Sequence, residues 1–270
     1  MLVSEFIGTA MLGAAVNWGG TSGTTAQCVG MVVFVMARVF GPISNGHFNP
    51  AVTIGVLIKH RHEKCGPSVF YALLIMIAQI LGCMAGCGMC LMGFPLGAQS
   101  GNQLPKAGGH YLTQLCPANG CNDGGKLMGQ AFLVEFMMTF LFVTFVLQII
   151  YNNGANSDQT PVNPGLINSL AIGVGLYACV QTAAGISGGC INPAVGIVQP
   201  IFQKVMNARI YPAAPKTQLV YQGAYVGATL LGGIFAGVFQ RFLNEKMITK
   251  AQNAKEADPD FKGEVELRNM

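Results

Sequence analysis

Charged residues are scarce in this sequence of 270 residues: they make up 10% of it, whereas a soluble globular protein carries about 25%. Fifteen Lys and Arg with eleven Asp and Glu are too few to cover the surface of a 28.4 kDa soluble globule. This shortage excludes a soluble enzyme. The net charge of +4 is small and spread along the chain, so nothing indicates a nucleic-acid partner.

Apolar residues, in contrast, make up 51% of the chain, which excludes a disordered protein. Glycine is also abundant, with 36 residues and no collagen period, as in helices that pack closely in lipid. Because about 20 apolar residues cross a bilayer as a helix, six stretches are predicted to span it. They are residues 2–18, 27–43, 67–93, 126–151, 165–185 and 217–243. The first lacks a basic leader and a small-residue cleavage site, so we interpret it as a retained helix rather than a signal peptide.

Two further apolar stretches, residues 50–58 and 193–202, are too short to span a bilayer. At ~1.5 Å per residue, each helix would reach about halfway across the ~30 Å hydrocarbon core. Flanking glycines and prolines would also allow surface loops. The apolar character of both stretches favours re-entrant half-helices, which are tolerated where protein or a water-filled cavity surrounds them.

The distribution of basic residues predicts the orientation in the membrane. Six crossings place both termini on one side. That side holds ten of the fifteen Lys and Arg, namely Arg38, Lys59, Arg61, Lys64 and the six that follow residue 240. The positive-inside rule therefore predicts that both termini face the cytosol, in the plasma membrane or an internal organelle membrane.

The sequence contains an internal repeat. Residues 44–52 and 187–195 agree at six of nine positions, and Glu5 and Glu135 are each followed by Phe and, four residues after the Glu, by Thr. The order helix, helix, half-helix, helix thus occurs twice. Because each repeat has three spanning helices, an odd number, the second is inverted relative to the first, as in channels and transporters.

The repeat divides the chain into three predicted regions. Residues 1–125 form the first repeat with a long outer loop, residues 126–243 form the second, inverted repeat, and residues 244–270 form a polar C-terminal tail.

Each repeat carries an Asn-Pro-Ala motif at the start of its half-helix. The motifs are Asn49-Pro50-Ala51 and Asn192-Pro193-Ala194. Proline suits the first helical position, and an Asn cap turns its side-chain oxygen to the backbone while its amide N–H₂ points outward. Two such N-termini, each with about +0.5 charge, would meet at the midplane and offer two donors to water while opposing cations and protons. The alternative is that they are ordinary caps on buried structural helices.

From Glu5-Phe6-Ile7-Gly8-Thr9 through both motifs to the sixth helix, the chain resembles the aquaporin (major intrinsic protein) family. The resemblance implies an all-α membrane protein: an aquaporin-like bundle of six transmembrane helices and two re-entrant half-helices with an inverted internal repeat. It also implies a homotetramer with one pore per subunit and no cofactor.

Glu5 and Glu135 are isolated carboxylates inside apolar helices, and such groups are costly in a membrane unless they have partners. No basic residue stands in a matching helix, so we expect backbone N–H groups or hydroxyls of the re-entrant loops as partners. The resemblance implies the same role, bracing the loops. A proton relay is the alternative.

The predicted selectivity constriction departs from the family. Typical members carry Arg directly after the second motif, where this chain has Val195. The family's spacing assigns the rest of the ring to Val29, usually aromatic, to Val180, often His, and to Gly189. Such a ring has no charge, aromatic group or side-chain donor. It would either pass water with glycerol, urea or ammonia, or close and dewet the path.

Two other groups of residues have competing interpretations. Cys83, Cys87 and Cys90 recur at helical spacing; since no His or carboxylate accompanies them, we predict packing residues and no metal site. Cys190, beside the second motif, is expected to react with thiol reagents. His47, beside the first motif, is expected to line a vestibule, with pH gating as the alternative.

We therefore predict a passive channel for water and small uncharged solutes in a lipid bilayer, and not an enzyme. The missing Arg and the apolar ring leave one alternative, a non-conducting structural or accessory subunit of a larger membrane assembly. An enzyme or ion-coupled transporter is disfavoured because the sequence offers no nucleophile–base set and no intramembrane ion pair.

Overall fold

The computed structural model describes residues 1–22, 24–60, 68–93, 124–151, 164–209, 222–244, 246–247 and 250. These residues form eight α-helices, and no strand occurs among them. The helices are α1 (Leu2–Ser22), α2 (Thr25–Ser44), α3 (Pro50–His60), α4 (Val69–Gly93), α5 (Gly124–Tyr151), α6 (Pro164–Ala184), α7 (Pro193–Arg209) and α8 (Gln222–Phe239). Helix α8 continues into a π-helical turn, Gln240–Asn244.

The long helices correspond to the six predicted spans, with ends displaced by a few residues. Five of them, α2, α4, α5, α6 and α8, are long and apolar enough to cross a membrane by length and composition. Helix α1 has 21 residues, but Glu5, Thr9 and Asn17 lower its hydropathy, and all three side chains are fully buried. Residues 217–221 of the predicted sixth span, most of the 94–125 loop and residues 251–270 of the tail lie outside the described residues.

The second short helix is longer than predicted. Helix α7 ends at Arg209 instead of residue 202, whereas α3 ends at His60, two residues past its predicted end. The sequence after residue 202 turns polar but still favours a helix. The apolar stretch therefore predicted the first residue of this helix correctly and its last residue wrongly.

Helix packing repeats itself in the two halves of the chain. Helix α1 packs on α4 as α5 packs on α8, and α3 packs on α8 as α7 packs on α4. Helix α1 packs on α2 as α5 packs on α6, while α2 and α6 pack on each other. These pairs correspond when the first four helices are exchanged with the last four, whereas the contact of α3 with α5 has no counterpart of similar extent between α7 and α1.

Glycine allows the closest helix contacts. A Cβ atom added at Gly232 of α8 would lie 2.9 Å from the carbonyl oxygen of Phe136 on α5. The matching contact brings Gly82 of α4 against the carbonyl oxygen of Phe6 on α1, where a Cβ atom would overlap it. Backbones of neighbouring helices thus touch, which is the packing that the high glycine content predicts for helices in lipid.

The outer surface of the bundle carries apolar stripes with the four-residue spacing of a helix face. All members of the stripes are exposed: Met31, Val35 and Val39 on α2, Leu73, Ile77 and Leu81 on α4, and Leu133, Met137 and Leu141 on α5. Stripes of this extent suit contact with lipid and not with water.

Candidate functional site

The two asparagines of the motifs cap the two short helices. The Oδ1 atom of Asn49 accepts a hydrogen bond from the backbone N–H of Ala51 at 2.9 Å, and the Oδ1 atom of Asn192 accepts one from Ala194 at 2.9 Å. Pro50 and Pro193 are the first residues of α3 and α7. Each helix therefore begins with the Asn-Pro arrangement in which a side-chain oxygen satisfies an otherwise unpaired backbone donor.

The two caps are also joined to each other. The Nδ2 atom of Asn49 donates to the carbonyl oxygen of Ile191 at 2.9 Å, and the Nδ2 atom of Asn192 donates to that of Phe48 at 2.9 Å. The sequence predicted that both amide groups would be free. One N–H of each is instead engaged across the interface, because the residue before each asparagine turns its carbonyl toward the opposite motif. An amide carries two N–H donors, so one remains on each side chain.

The residues that turn these carbonyls have left-handed backbone conformations. Phe48 has a φ of 49° and Ile191 a φ of 51°, values that non-glycine residues rarely adopt and that cost about 1–2 kcal/mol each. Gly46 and Gly189, each three residues before its asparagine, also have positive φ. Such conformations persist where the surroundings fix them.

Glu5 supplies that fixation in the first half. Its Oε1 atom accepts hydrogen bonds from Ser44 Oγ at 2.8 Å and from the backbone N–H of His47 at 3.0 Å. Its Oε2 atom accepts from the backbone N–H of Phe48 at 2.8 Å and from Gln79 Nε2 at 2.8 Å. The fully buried carboxylate thus ties α1 and α4 to the loop between α2 and α3.

Glu135 makes the matching contacts in the second half. Its Oε1 atom accepts from Ser187 Oγ at 2.6 Å and from the backbone N–H of Cys190 at 2.8 Å, and its Oε2 atom accepts from the backbone N–H of Ile191 at 2.7 Å. The partners of both carboxylates are hydroxyls and loop N–H groups, the two kinds that the sequence suggested, with the Gln79 amide as an addition. Hydrogen bonds to charged groups contribute more to stability than hydrogen bonds between neutral groups. Both carboxylates are therefore suited to bracing the loops.

A cavity of about 40 Å³ lies between the two halves. Asn49 and Asn192 line it, and so do all four residues assigned to the constriction: Val29, Val180, Gly189 and Val195. A single water molecule needs about 10–15 Å³ of such volume, so the cavity has room for about three water molecules. The structure thus brings both motif asparagines and all four residues assigned to the constriction to one cavity, whereas the prolines and alanines of the two motifs do not line it.

Sequence reasoning missed the contributions of α1 and α5 to this passage. Leu12 and Val16 line it from α1, and Phe142 and Val146 line it from α5. The signal was present: the displacement of 130 residues that relates Glu5 to Glu135 also relates Leu12 to Phe142 and Val16 to Val146. The pairs could have been found from the repeat, but an apolar residue on an apolar helix does not indicate by itself that it faces a pore.

His47 and Cys190 occupy matching positions, each two residues before its asparagine, and both line the cavity. His47 is 8% exposed, so it belongs to the buried wall of the passage and not to an open vestibule as expected. Its Nδ1 atom lies 3.2 Å from Thr53 Oγ1, and its Nε2 atom has no hydrogen-bond partner. The thiol of Cys190 donates to the carbonyl oxygen of Asn192 at 3.3 Å.

The three cysteines of α4 are buried free thiols in helix contacts. Cys90 donates to the carbonyl oxygen of Ala14 at 3.6 Å, and the Nδ2 atom of Asn17 donates to the sulfur of Cys87 at 3.6 Å. Within the described ranges, no group of three or more His, Cys, Asp or Glu side chains has the arrangement of a metal site.

Comparisons with known proteins agree with this architecture. The family model described as "Major intrinsic protein" matches residues 1–162 and, a second time, residues 125–261. The "Glycerol uptake facilitator protein-like 6" of Lactiplantibacillus plantarum is 30% identical over 250 residues, which are 90% of this chain and 98% of that protein. The "Aquaporin-4" of Homo sapiens is 28% identical over 236 residues, or 84% of this chain and 62% of that protein.

A solved structure shows the same fold. The aquaglyceroporin from Plasmodium falciparum superimposes with a TM-score of 0.68 at 17% sequence identity, covering 92% of this chain and 97% of the other. Together with the matching family model, the paired caps and the repeated packing of the helices, these similarities show that the chain belongs to the major intrinsic protein family.

Proposed function

We propose that this protein is a passive channel that conducts water and small uncharged solutes across a lipid bilayer. The observation that carries the proposal is the cavity lined by both motif asparagines and by Val29, Val180 and Val195. Membership of the family and relatives named as aquaporins and as a glycerol uptake facilitator support it. The alternative of a non-conducting subunit has no comparable support.

The solutes follow from the size and chemistry of the ring. Val29, Val180, Gly189 and Val195 present no charge and no side-chain donor, so a solute that enters exchanges its hydration for apolar contact. That exchange is more costly for each additional hydroxyl or amide group. We therefore expect water and ammonia to pass more readily than urea, and urea more readily than glycerol.

Exclusion of ions rests on the two helix ends. Each N-terminus carries about +0.5 charge, and the caps hold the two ends together through the hydrogen bonds between Asn49 and Ile191 and between Asn192 and Phe48. The remaining N–H of each amide is available to the oxygen of a passing water. The positive field of the two helix ends opposes a cation or an excess proton. This chain lacks the arginine that typical members place beside the second motif, so the helix ends are the main electrostatic barrier.

The wider organisation is part of the same proposal. Two inverted repeats, residues 1–125 and 126–243, surround the pore, and the tail follows from residue 244. The protein would form a homotetramer with one pore per subunit, alone or within a larger membrane assembly. Both termini would face the cytosol, in the plasma membrane or an internal organelle membrane.

Osmotic shrinkage of liposomes tests the proposal. Vesicles that contain the purified protein should shrink faster than empty vesicles in stopped-flow light scattering. Val195→Phe should reduce the rate to that of empty vesicles because it adds an aromatic ring to a cavity of about 40 Å³. Val39→Phe is the matched control: it makes the same change at a site that is 52% exposed on the outer face, and should leave the rate unchanged. If vesicles that contain the unmodified protein shrink no faster than empty vesicles, the channel proposal is wrong.

A further inference from the structure

A second cavity, of about 240 Å³, adjoins the one that holds the motif asparagines. Its wall comes from residues within 37–45 at the end of α2, from residues 149–150 of α5 and from residues within 165–172 of α6, and Ile172 lines both cavities. Because spanning helices alternate in direction, α2 and α5 end, and α6 begins, on the side where α1 begins. We call this cavity the inner mouth, and the proposed orientation places it on the cytosolic side.

The internal repeat shows where the inner mouth lies along the permeation path. The displacement of 143 residues between the two motifs also relates Val180 to Ala37 and Val29 to Ile172. Val180 and Val29 belong to the constriction, whereas Ala37 and Ile172 line the inner mouth. The inner mouth therefore begins where the inverted repeat places the counterpart of the constriction, at the opposite end of the first cavity. A molecule held there lies on the path of every permeant.

Arg38 supplies the charge of the inner mouth, and no other lining residue that the structure describes is charged. Its side chain is exposed. Within the described ranges, the only side-chain carboxylates are those of Glu5 and Glu135, and both are buried and accept hydrogen bonds from their own loops. Since a guanidinium stays protonated at physiological pH, Arg38 gives the mouth a positive charge that neither carboxylate neutralises.

Two carboxamides, those of Asn45 and Asn168, line the inner mouth together with this charge. Asn45 ends α2 in the left-handed conformation, with a φ of 64° and its backbone N–H bonded to the carbonyl oxygen of Gly41 at 2.9 Å. The second half has Gly188 at the matching position, with a φ of 97°. Glycine adopts such a conformation without strain. Asparagine at position 45 therefore adds a side-chain amide to the mouth at a backbone cost that the other half avoids.

The remaining wall gives the inner mouth an apolar side. Ile149 and Ile150 of α5 line it with Ile172. The hydroxyl of Ser169, which also lines it, already donates to the carbonyl oxygen of Gly165 at 2.8 Å. The mouth thus combines one positive charge and two neutral amides with hydrocarbon surface. That combination suits a ligand that has an anionic head and an apolar body.

We propose that the inner mouth binds small amphipathic oxyanions, such as carboxylates or phosphate monoesters on a short hydrocarbon chain, and that a bound anion blocks permeation. Arg38 pairs with the oxyanion, Asn45 and Asn168 donate to it, and the isoleucines contact the hydrocarbon. The inference rests on the proposed function, because it makes this site a point at which the channel is inhibited from the side of its N-terminus. An anionic lipid offers the same head chemistry, but the ligand proposed is a free anion.

Inhibition of water flow tests the site. The protein is reconstituted in vesicles of phosphatidylcholine, and 1-butanesulfonate, which stays ionised at neutral pH, replaces chloride at equal osmolarity on both sides. We expect stopped-flow water permeability to fall as the concentration of butanesulfonate rises. Methanesulfonate should inhibit more weakly, by about fourfold in half-inhibitory concentration for each CH₂ group that it lacks and that the longer anion buries. No inhibition by butanesulfonate up to its solubility limit would overturn the proposal.

Charge variants test whether Arg38 holds the anion. Arg38→Gln should raise the half-inhibitory concentration of butanesulfonate at least tenfold, about the factor that a hydrogen bond to a charged group contributes. Arg38→Lys keeps the charge without the planar fork of donors and should fall between the two. Lys204→Gln is the matched control, because it removes one positive charge from an exposed site on α7 and should leave inhibition unchanged. Equal inhibition of the unmodified protein and Arg38→Gln would contradict the proposed site.

A lipid arm separates the two sources of the oxyanion. We expect that vesicles with added phosphatidylglycerol show the same water permeability as vesicles of phosphatidylcholine alone. Inhibition by phosphatidylglycerol without inhibition by butanesulfonate would overturn the proposal in favour of a lipid headgroup.

The inference and the channel function fail differently. Isothermal titration calorimetry of the purified protein with butanesulfonate measures binding without conduction, and we expect the signal to be lost in Arg38→Gln. If the unmodified protein conducts but neither binds butanesulfonate nor is inhibited by it, the inference is wrong and the channel function stands. If the unmodified protein does not conduct, the channel function is wrong, whatever calorimetry shows.

Discussion

Val195 is the residue at which this chain departs most clearly from its family, because typical members place an arginine there. The structure puts its side chain in the wall of the passage with Val29, Val180 and Gly189. We therefore expect the ring to select through size and the cost of desolvation rather than through charge.

Val195→Arg would restore the charge and a hydrogen-bond donor. We expect glycerol and urea fluxes to fall about tenfold, a change of about 1.4 kcal/mol in barrier, while part of the water flux remains. Val195→Leu separates charge from size, because it adds bulk without charge, and it should reduce all fluxes in similar proportion. Stopped-flow measurements with each solute check both variants. Unchanged glycerol and urea fluxes in the arginine variant would mean that the constriction lies elsewhere.

Also at the scale of single residues, we expect the buried carboxylates to contribute to the stability of the fold. In Glu135→Gln, the amide can still accept the two hydrogen bonds at Oε1, but its NH₂ group then faces the backbone N–H of Ile191, which loses its acceptor. A buried donor left unsatisfied costs about 1–3 kcal/mol. Denaturant unfolding of the purified protein should show a loss of this size together with reduced water permeability. Unaltered stability would mean that the loop holds its left-handed residues without the carboxylate.

At the scale of elements, the half-helices and their neighbours show which features can be predicted from the sequence. Its motifs and the proline after each asparagine predicted where α3 and α7 begin, because capping is a local interaction. Two features could not be predicted from the sequence: the last residue of α7, and the hydrogen bond that one N–H of each asparagine donates to the opposite motif. Both depend on surroundings that a sequence pattern does not contain: the polar continuation of a helix and the carbonyl of a residue about 140 positions away.

Helix contacts through glycine provide a prediction at this scale. Gly82→Ala should destabilise the protein by about 1–3 kcal/mol, because the new methyl group overlaps the carbonyl oxygen of Phe6 and must separate α4 from α1. Gly88→Ala is the matched control on the same helix, where nothing lies within 4 Å of an added Cβ atom. That change should be neutral or stabilising by up to about 1 kcal/mol, since alanine favours a helix. Equal unfolding midpoints for the two variants would contradict the close approach.

At the scale of the whole molecule, the repeat was the most informative feature of the sequence. It predicted eight helical segments in their order, the matching packing of the two halves follows its symmetry, and the same displacement would have located Phe142 and Val146. Symmetry could not predict the substitutions that break it. Cys190, for example, replaces His47, whose Nδ1 atom lies 3.2 Å from Thr53 Oγ1.

The proposed assembly is tested on the intact protein. Native mass spectrometry or light scattering of the protein in mild detergent should give a species of four 28.4 kDa subunits, because the apolar stripes on α2, α4 and α5 leave large surfaces for contact with other copies as well as with lipid. A particle that remains a single subunit at all concentrations would contradict the tetramer and leave the pore within each subunit unaffected.

The hydrogen bonds that join Asn49 to Ile191 and Asn192 to Phe48 also have a consequence for synthesis on the ribosome. The first partner is made 142 residues before the second, which at 5–20 residues per second corresponds to a delay of about 7 to 28 s. Throughout this interval the nascent first half has a polar cap without its acceptor, and such a cap is costly to hold at the centre of a bilayer. Insertion of the first short helix to its final depth should therefore be among the last events of biogenesis, and a chain interrupted before its second motif should leave that segment accessible at the membrane surface.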